Sequence, residues 1–204
     1  MIKAIFFDFD GVLTTNPSKH FLICKNLQQI TGIPFKKIMS CYEPYILDLD
    51  RGRCTHSEIW IDFCRCLGSK LNISILEKAF LDVPINEKMF QLAKKLKHDY
   101  KIGIITNNTK ERFDLINNKL NLNHIFDAIT LSSEAGYRKP DGKELFVKAL
   151  GSLNLLPEEA VFIDNTPKSL EIPKSMGFKT IHHDDKKNDL SFLIEELKKL
   201  GINI

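Results

Sequence analysis

Short apolar runs recur along the chain, each about as long as one strand. Residues 3–8 (KAIFFD) open the series, and 100–105 (YKIGII), 126–131 (FDAITL), 160–163 (AVFI) and 178–181 (FKTI) continue it. A continuous apolar run of this length fits a strand covered on both faces, as in a parallel sheet. Between the runs, Met89, Leu92, Ala93 and Leu96 fall at helical spacing, as do Leu145, Phe146, Ala149 and Leu150, and later Leu190, Leu193, Ile194 and Leu197. Strands alternating with amphipathic helices predict an α/β fold: a Rossmann-like parallel five-stranded sheet with helices on both faces.

The stretch from 16 to 85 breaks the alternation, because it holds no convincing strand. Phe35, Ile38, Met39 and Tyr42 predict one helix, and Ile59, Trp60, Phe63, Cys64 and Leu67 another. Thr55 with Glu58 has the pattern of a capping box, and so does Ser74 with Glu77. A small all-helical domain over 16–85 is therefore expected, inserted into a core built from 1–15 and 86–204.

Composition narrows the classes. Hydrophobic residues make up 43% and charged residues 27%, the balance of a globular chain rather than a disordered one. The net charge is only +3 and the lysines are dispersed, which argues against direct nucleic-acid binding. No apolar stretch approaches the roughly 18 residues of a bilayer span. The first apolar run is too short for a signal peptide and leads straight into acidic residues, so a cytoplasmic protein is expected. Cys24, Cys41, Cys54, Cys64 and Cys66 form an odd set with no Cys-x-x-Cys pair. Free thiols serving as small apolar packing residues are expected, and a zinc site is disfavoured.

In open parallel sheets, ligands bind beyond the carboxyl ends of the strands. The first apolar run ends Asp8-Phe9-Asp10-Gly11. Carboxylates two apart on an extended segment project together, and their repulsion favours a cation beside them. Such a pair suits a nucleophile next to a general acid, although Asp and Gly are also common in plain turns. Thr106-Asn107-Asn108 follows the second run, offering a hydroxyl and turn amides for phosphate oxygens, or simply a helix cap. Lys139 sits in Gly136-Tyr137-Arg138-Lys139-Pro140-Asp141-Gly142, and read alone it is an ordinary loop lysine. Asp164-Asn165 follows the fourth run. Together these strand ends supply the groups needed to hold a magnesium ion and a phosphate.

With these residues in view, the chain resembles the haloacid dehalogenase-like hydrolase superfamily over nearly its whole length. FFDFDGVLT resembles the first motif of that family, IITNN the second, GYRKPD the third and FIDNTPKSLEIPKSMG the fourth. The helical insertion after the first motif resembles the cap of the subgroup holding sugar-phosphate phosphatases and β-phosphoglucomutase. The resemblance implies a magnesium-dependent phosphatase acting on a small phosphate ester, as a monomer or weak dimer. It assigns Asp8 as the nucleophile that forms an aspartyl-phosphate and Asp10 as the acid and then the base. Phosphate binding falls to Thr106, Asn107 and Lys139, and magnesium to the Asp8 carboxylate, the Asp10 carbonyl and Asp164. It also points to Arg51 and Gly52, in the cap loop Asp50-Arg51-Gly52-Arg53, as contacts to the leaving group.

Two departures stand out. Asn165 replaces a second acid found in many relatives, which implies weaker magnesium binding, and Pro173 falls where a helix should run, implying a kink. A dehalogenase would share the nucleophile but lack the acid at Asp10. A phosphomutase would share the aspartyl-phosphate, and a non-catalytic binding protein could keep the fold. A nucleotide-binding P-loop at 136–143 is excluded by its spacing and by Glu144.

Overall fold

The computed structural model describes residues 1–204. Five strands, β1 (Ala4–Phe7), β2 (Lys101–Thr106), β3 (Ala128–Leu131), β4 (Ala160–Asp164) and β5 (Lys179–His182), form one sheet in the order β3-β2-β1-β4-β5. Every pairing is parallel, and Phe7 at the end of β1 stands between Ile104 and Ile163. The expected sheet is present, and its central strand is the most apolar one, buried at all four positions.

The helical module holds α1 (Lys19–Thr31), α2 (Phe35–Tyr42), α3 (Ile46–Asp50), α4 (His56–Leu67) and α5 (Ile75–Leu81). The sheet is flanked by α6 (Glu87–Leu96), α7 (Lys110–Leu120), α10 (Glu144–Leu153), α11 (Pro167–Met176) and α12 (Leu190–Lys199), with short turns α8 (Leu122–Ile125) and α9 (Ser132–Ala135) between. One face of β1 packs Ile5 and Phe7 against Leu92, Phe113 and Leu193, on α6, α7 and α12. The other packs Ala4 and Phe6 against Phe146 and Leu170, on α10 and α11. The helical module has its own apolar centre around Ile23, Tyr42, Trp60, Phe63 and Phe80. The chain crosses between the two bodies at Thr14 and Ile85, which pair antiparallel.

Three local expectations meet different outcomes. Thr55 and Glu58 form the reciprocal capping box at the start of α4. Ser74 does not cap α5: its backbone is helical, and its own N–H donates to Asn72 Oδ1 at 2.9 Å. Pro173 is buried within α11, which continues to Met176.

The expectation of free thiols is corrected at one pair. Cys41 on α2 and Cys66 on α4 form a disulfide, with Cα atoms 5.7 Å apart, while Cys24, Cys54 and Cys64 are free. Local spacing could not show this pair, because their approach depends on how α2 packs against α4 across 25 residues of sequence.

Candidate active site

The carboxyl ends of β1, β2 and β4 open onto a cavity of about 410 Å3 beneath the helical module. Asp8 follows the last residue of β1 and is almost fully buried. Its Oδ1 accepts from the Phe9 N–H at 2.7 Å, which leaves Oδ2 to face Lys139 Nζ at 2.7 Å. After Asp8 the chain makes one wide turn over Phe9–Leu13, closed by the Thr14 N–H donating to the Phe9 carbonyl at 2.9 Å, with Gly11 at φ 92°. A Cβ on Gly11 would stand 2.5 Å from Asn165 Nδ2, so this turn admits only glycine while Asn165 keeps its place.

Lys139 lies between the carboxylates of β1 and β4. Its Nζ is 2.5 Å from Asp164 Oδ2, and its N–H donates to Asn107 Oδ1 at 2.9 Å. Burial opposes its charge, yet Asp164 and then Asp8 hold its pKa above the ordinary lysine value. Burial also pushes the Asp8 carboxyl up to about 7, with Asp164 adding to the rise and Lys139 opposing it. Asp164 is wholly buried and its Oδ1 accepts from the Thr166 N–H at 2.7 Å. Thr106 ends β2 and lines the same cavity, as does Asn107.

Asp10 also borders the cavity, but both its carboxylate oxygens are already engaged. Its Oδ1 accepts from Arg112 at 2.9 Å, and its Oδ2 accepts from Arg112 and from Asn108, each at 3.1 Å. Arg112 is only 1% exposed, on the first turn of α7, and also donates to Asn108 Oδ1. Sequence reasoning missed this residue. The available signal was a basic side chain one turn before Ile116, at i and i+4 on α7.

Arg51 and Gly52 do not line the cavity. The Arg51 guanidinium forks onto Asp141, with Nε to Oδ2 at 2.8 Å and a terminal nitrogen to Oδ1 at 3.0 Å. Gly52 brings the loop against the core, where a Cβ would stand 2.1 Å from the Ser133 carbonyl oxygen. The residues of the helical module that do face the cavity include Lys19 and His20, which sequence reasoning did not select, and Asp50, which it named only as the first residue of the cap loop.

A magnesium ion is implied by the family resemblance, and the side chains fit one. Asp8 and Asp164 converge on a single Nζ, and Asn165 Oδ1 is buried with no hydrogen-bond partner. Such an all-oxygen donor set suits a hard cation that keeps several waters. No three acidic, histidine or cysteine side chains are placed together to hold a metal ion, and the Asp10 carboxylate is turned toward Arg112.

The core is a parallel α/β sheet with Lys139 held between Asp8 and Asp164 at its carboxyl edge. The chain belongs to the haloacid dehalogenase-like hydrolase family, whose model matches residues 5–183. It is similar to flavin mononucleotide hydrolase 1 of Arabidopsis thaliana, 25% identical over 180 residues, spanning 85% of this chain and 69% of that one. A solved haloacid dehalogenase-like hydrolase of Porphyromonas gingivalis superposes with TM-score 0.79 at 25% identity, covering 97% of this chain and 98% of its own. A Bacteroides thetaiotaomicron family enzyme, an aspartate-to-alanine variant solved with magnesium and inorganic phosphate, shares the fold. Its TM-score is 0.77 at 19% identity, over 95% of this chain and 99% of its own.

Proposed function

We propose that this protein is a magnesium-dependent phosphatase that hydrolyses a small phosphate monoester through an aspartyl-phosphate on Asp8. The observation that carries the reading is the Lys139 ammonium held between Asp8 and Asp164, at 2.7 and 2.5 Å, with Asp10 two residues from the nucleophile. Asp8 would attack phosphorus as the ester P–O bond breaks, and Asp10 would deliver a proton to the leaving oxygen. Water would then attack the aspartyl-phosphate and give its proton to Asp10, releasing phosphate and restoring both carboxyl groups. A carboxylate approaching a phosphate dianion is repelled, and Lys139 offsets part of that repulsion. Magnesium, held by Asp8, Asp164 and the Asp10 carbonyl, would supply the remaining neutralisation and polarise the phosphoryl group. Thr106 and Asn107 border the cavity where phosphate oxygens would lie. The presence of Asp10 favours phosphoryl transfer over dehalogenation, since a departing halide needs no proton.

The test is turnover of nitrophenyl phosphate and a panel of alkyl phosphates with magnesium, followed by product analysis. Release of inorganic phosphate, lost in excess chelator and in Asp8→Asn, is the expected result. A positional isomer as product would indicate a mutase, and no turnover at all would overturn the reading.

A further inference from the structure

Asn165 follows Asp164 at the end of β4 and brings no charge to the site. It is held from outside the cavity. Asp185, in the loop after β5, faces it with Oδ1 3.5 Å from Asn165 Nδ2, the outer limit of a hydrogen bond. His182, the last residue of β5, brings Nε2 within 3.1 Å of the Asn165 carbonyl, and since a carbonyl can only accept, the ring donates there. Side chain and backbone of Asn165 are thus gripped by one stretch of chain, 20 and 17 positions away. That stretch is itself tied down. Asp184 Oδ1 accepts from the N–H groups of Lys186 and Lys187, at 3.1 and 3.3 Å, and the Asn188 N–H donates to the Asp184 carbonyl at 2.8 Å. Asn188 Oδ1 in turn accepts at 2.9 Å from Nδ2 of Asn86, the residue that caps α6. Lys187 pairs with Asp184 and not with Asp185, which also stays off the cavity wall.

An ionised carboxylate can only accept, so Asp185 selects the amide orientation that turns Nδ2 toward it. The opposite orientation would set oxygen against oxygen. Asn165 Oδ1 is left on the other side, buried and without a donor. Gly11 packs against the same amide, where a Cβ would stand 2.5 Å from Nδ2 and 3.0 Å from Oδ1. A buried acceptor with no partner costs stability unless a further group satisfies it. Asn165 lines the same cavity as Asp8, so a hard cation, or a water that the cation holds, is the group that fits. A carboxylate that accepts from the far end of such an amide fixes the aim of its oxygen and raises its basicity, as outer partners of metal ligands do.

We infer that Asp185 is a positioning residue for magnesium: through the Asn165 amide it aims Oδ1 and lends the site the negative charge that Asn165 lacks. This rests on the magnesium-dependent phosphatase reading for its ion, but it is tested by binding without turnover. Magnesium is titrated into the metal-free protein by calorimetry, and the metal-free melting temperature shows that each variant is folded. Asp185→Asn keeps the shape and removes the charge, and should weaken magnesium binding by ~10-fold, the lower end for an outer partner of a metal ligand. Asp185→Ala should weaken it at least as far. The charge swap Asn165→Asp/Asp185→Asn should return the affinity to that of wild type or above it, which no merely structural role of Asp185 would produce. In an Asn165→Ala background, Asp185→Ala should change the affinity by less than about 2-fold, because the amide that relays the carboxylate is gone. Unchanged affinity in both single variants overturns the inference and leaves the phosphatase reading standing. So does a loss that the swap does not rescue, or one that adds in full to that of Asn165→Ala. A wild-type chain that binds no magnesium overturns the inference together with the metal of the phosphatase reading. Affinity that follows Asp185 as expected, with no ester turned over, supports the inference and overturns the phosphatase.

Discussion

Arg112 grips both oxygens of Asp10, at 2.9 and 3.1 Å, across 102 residues of sequence and almost wholly out of water. The fork geometry is specific to a guanidinium, and Asn108 closes the group by bonding to both partners. This contact ties the first turn of α7 to the loop after β1. It also fixes the orientation of the Asp10 carboxylate, so under the proposed mechanism Arg112 would act through Asp10 rather than by touching substrate.

Removing the guanidinium should therefore lower both stability and rate. Breaking a buried ion pair from one side costs about 3–5 kcal/mol, less where water can reach the survivor. Asp10 borders the cavity, so Arg112→Met should sit at the low end of that range, read as a lowered denaturant midpoint. Turnover should fall more for alkyl phosphates, which need a proton on the leaving oxygen, than for nitrophenyl phosphate. Arg112→Lys should recover stability better than rate, because an ammonium cannot hold two oxygens in one plane. Equal losses on both substrates would assign Arg112 a structural role only.

Asp8→Asn should abolish turnover, and it should also change how stability responds to pH. Burial raises the folded-state pKa of Asp8 from 3.8 to about 7. Between those values the folded chain holds a proton that the unfolded chain has released. By linkage, the contribution of Asp8 to stability falls as pH rises through this window. In metal-free protein, Asp8→Asn should thus gain melting temperature over wild type at pH 7.5 but not at pH 4, and magnesium should narrow the gap. A constant difference between the two proteins across that range would contradict the burial argument.

The strand-end residues were legible because each follows an apolar run directly in sequence. Once the runs are placed in a parallel sheet, Asp8, Thr106 and Asp164 must emerge on one edge. Lys139 needed the family resemblance, since a lysine in a loop carries no sign of its burial. Arg112, Asp50 and His20 lay beyond reach for a related reason. Each sits on a helix whose rotation and docking decide whether its charge meets solvent or a partner far along the chain. The Cys41–Cys66 bond depends likewise on α2 against α4. Arg51 was legible as a basic loop residue but not as the partner of Asp141, 90 positions away.

The disulfide makes a direct prediction. Closing a loop of 25 residues stabilises by ~3 kcal/mol in the chain-entropy model. Reductant should lower the melting temperature of the wild-type chain and leave Cys41→Ser/Cys66→Ser unaffected. Such bonds are rare in reducing compartments, which runs against the cytoplasmic expectation. Alkylation of freshly lysed cells in denaturant without reductant, followed by mass spectrometry, should find Cys24, Cys54 and Cys64 modified and Cys41 and Cys66 protected. Five modified cysteines would show that the bond does not form where the protein works.

Arg51 should act on closure of the helical module rather than on the choice of substrate. Its fork onto Asp141 joins the loop after α3 to the loop that carries Lys139, two residues away. Both partners remain partly exposed, at 23% and 19% for their side chains, so solvent screens the pair and its contribution is small. Gly52 reinforces the same contact by resting on the Ser133 carbonyl, where no side chain fits. A latch of this kind shifts the balance between open and closed forms and affects every substrate alike. Arg51→Ala should lower kcat/KM by about 2–5-fold on an alkyl phosphate and on nitrophenyl phosphate to the same extent, mainly through KM. Asp141→Ala should match it, and the double variant should lose little more than either single change, as a coupled pair requires. Gly52→Ala should be worse than both, because a Cβ would hold the loop away from the core. A loss confined to one of the two substrates would instead return Arg51 to the leaving-group site. Additive losses in the double variant would show that the two side chains act independently.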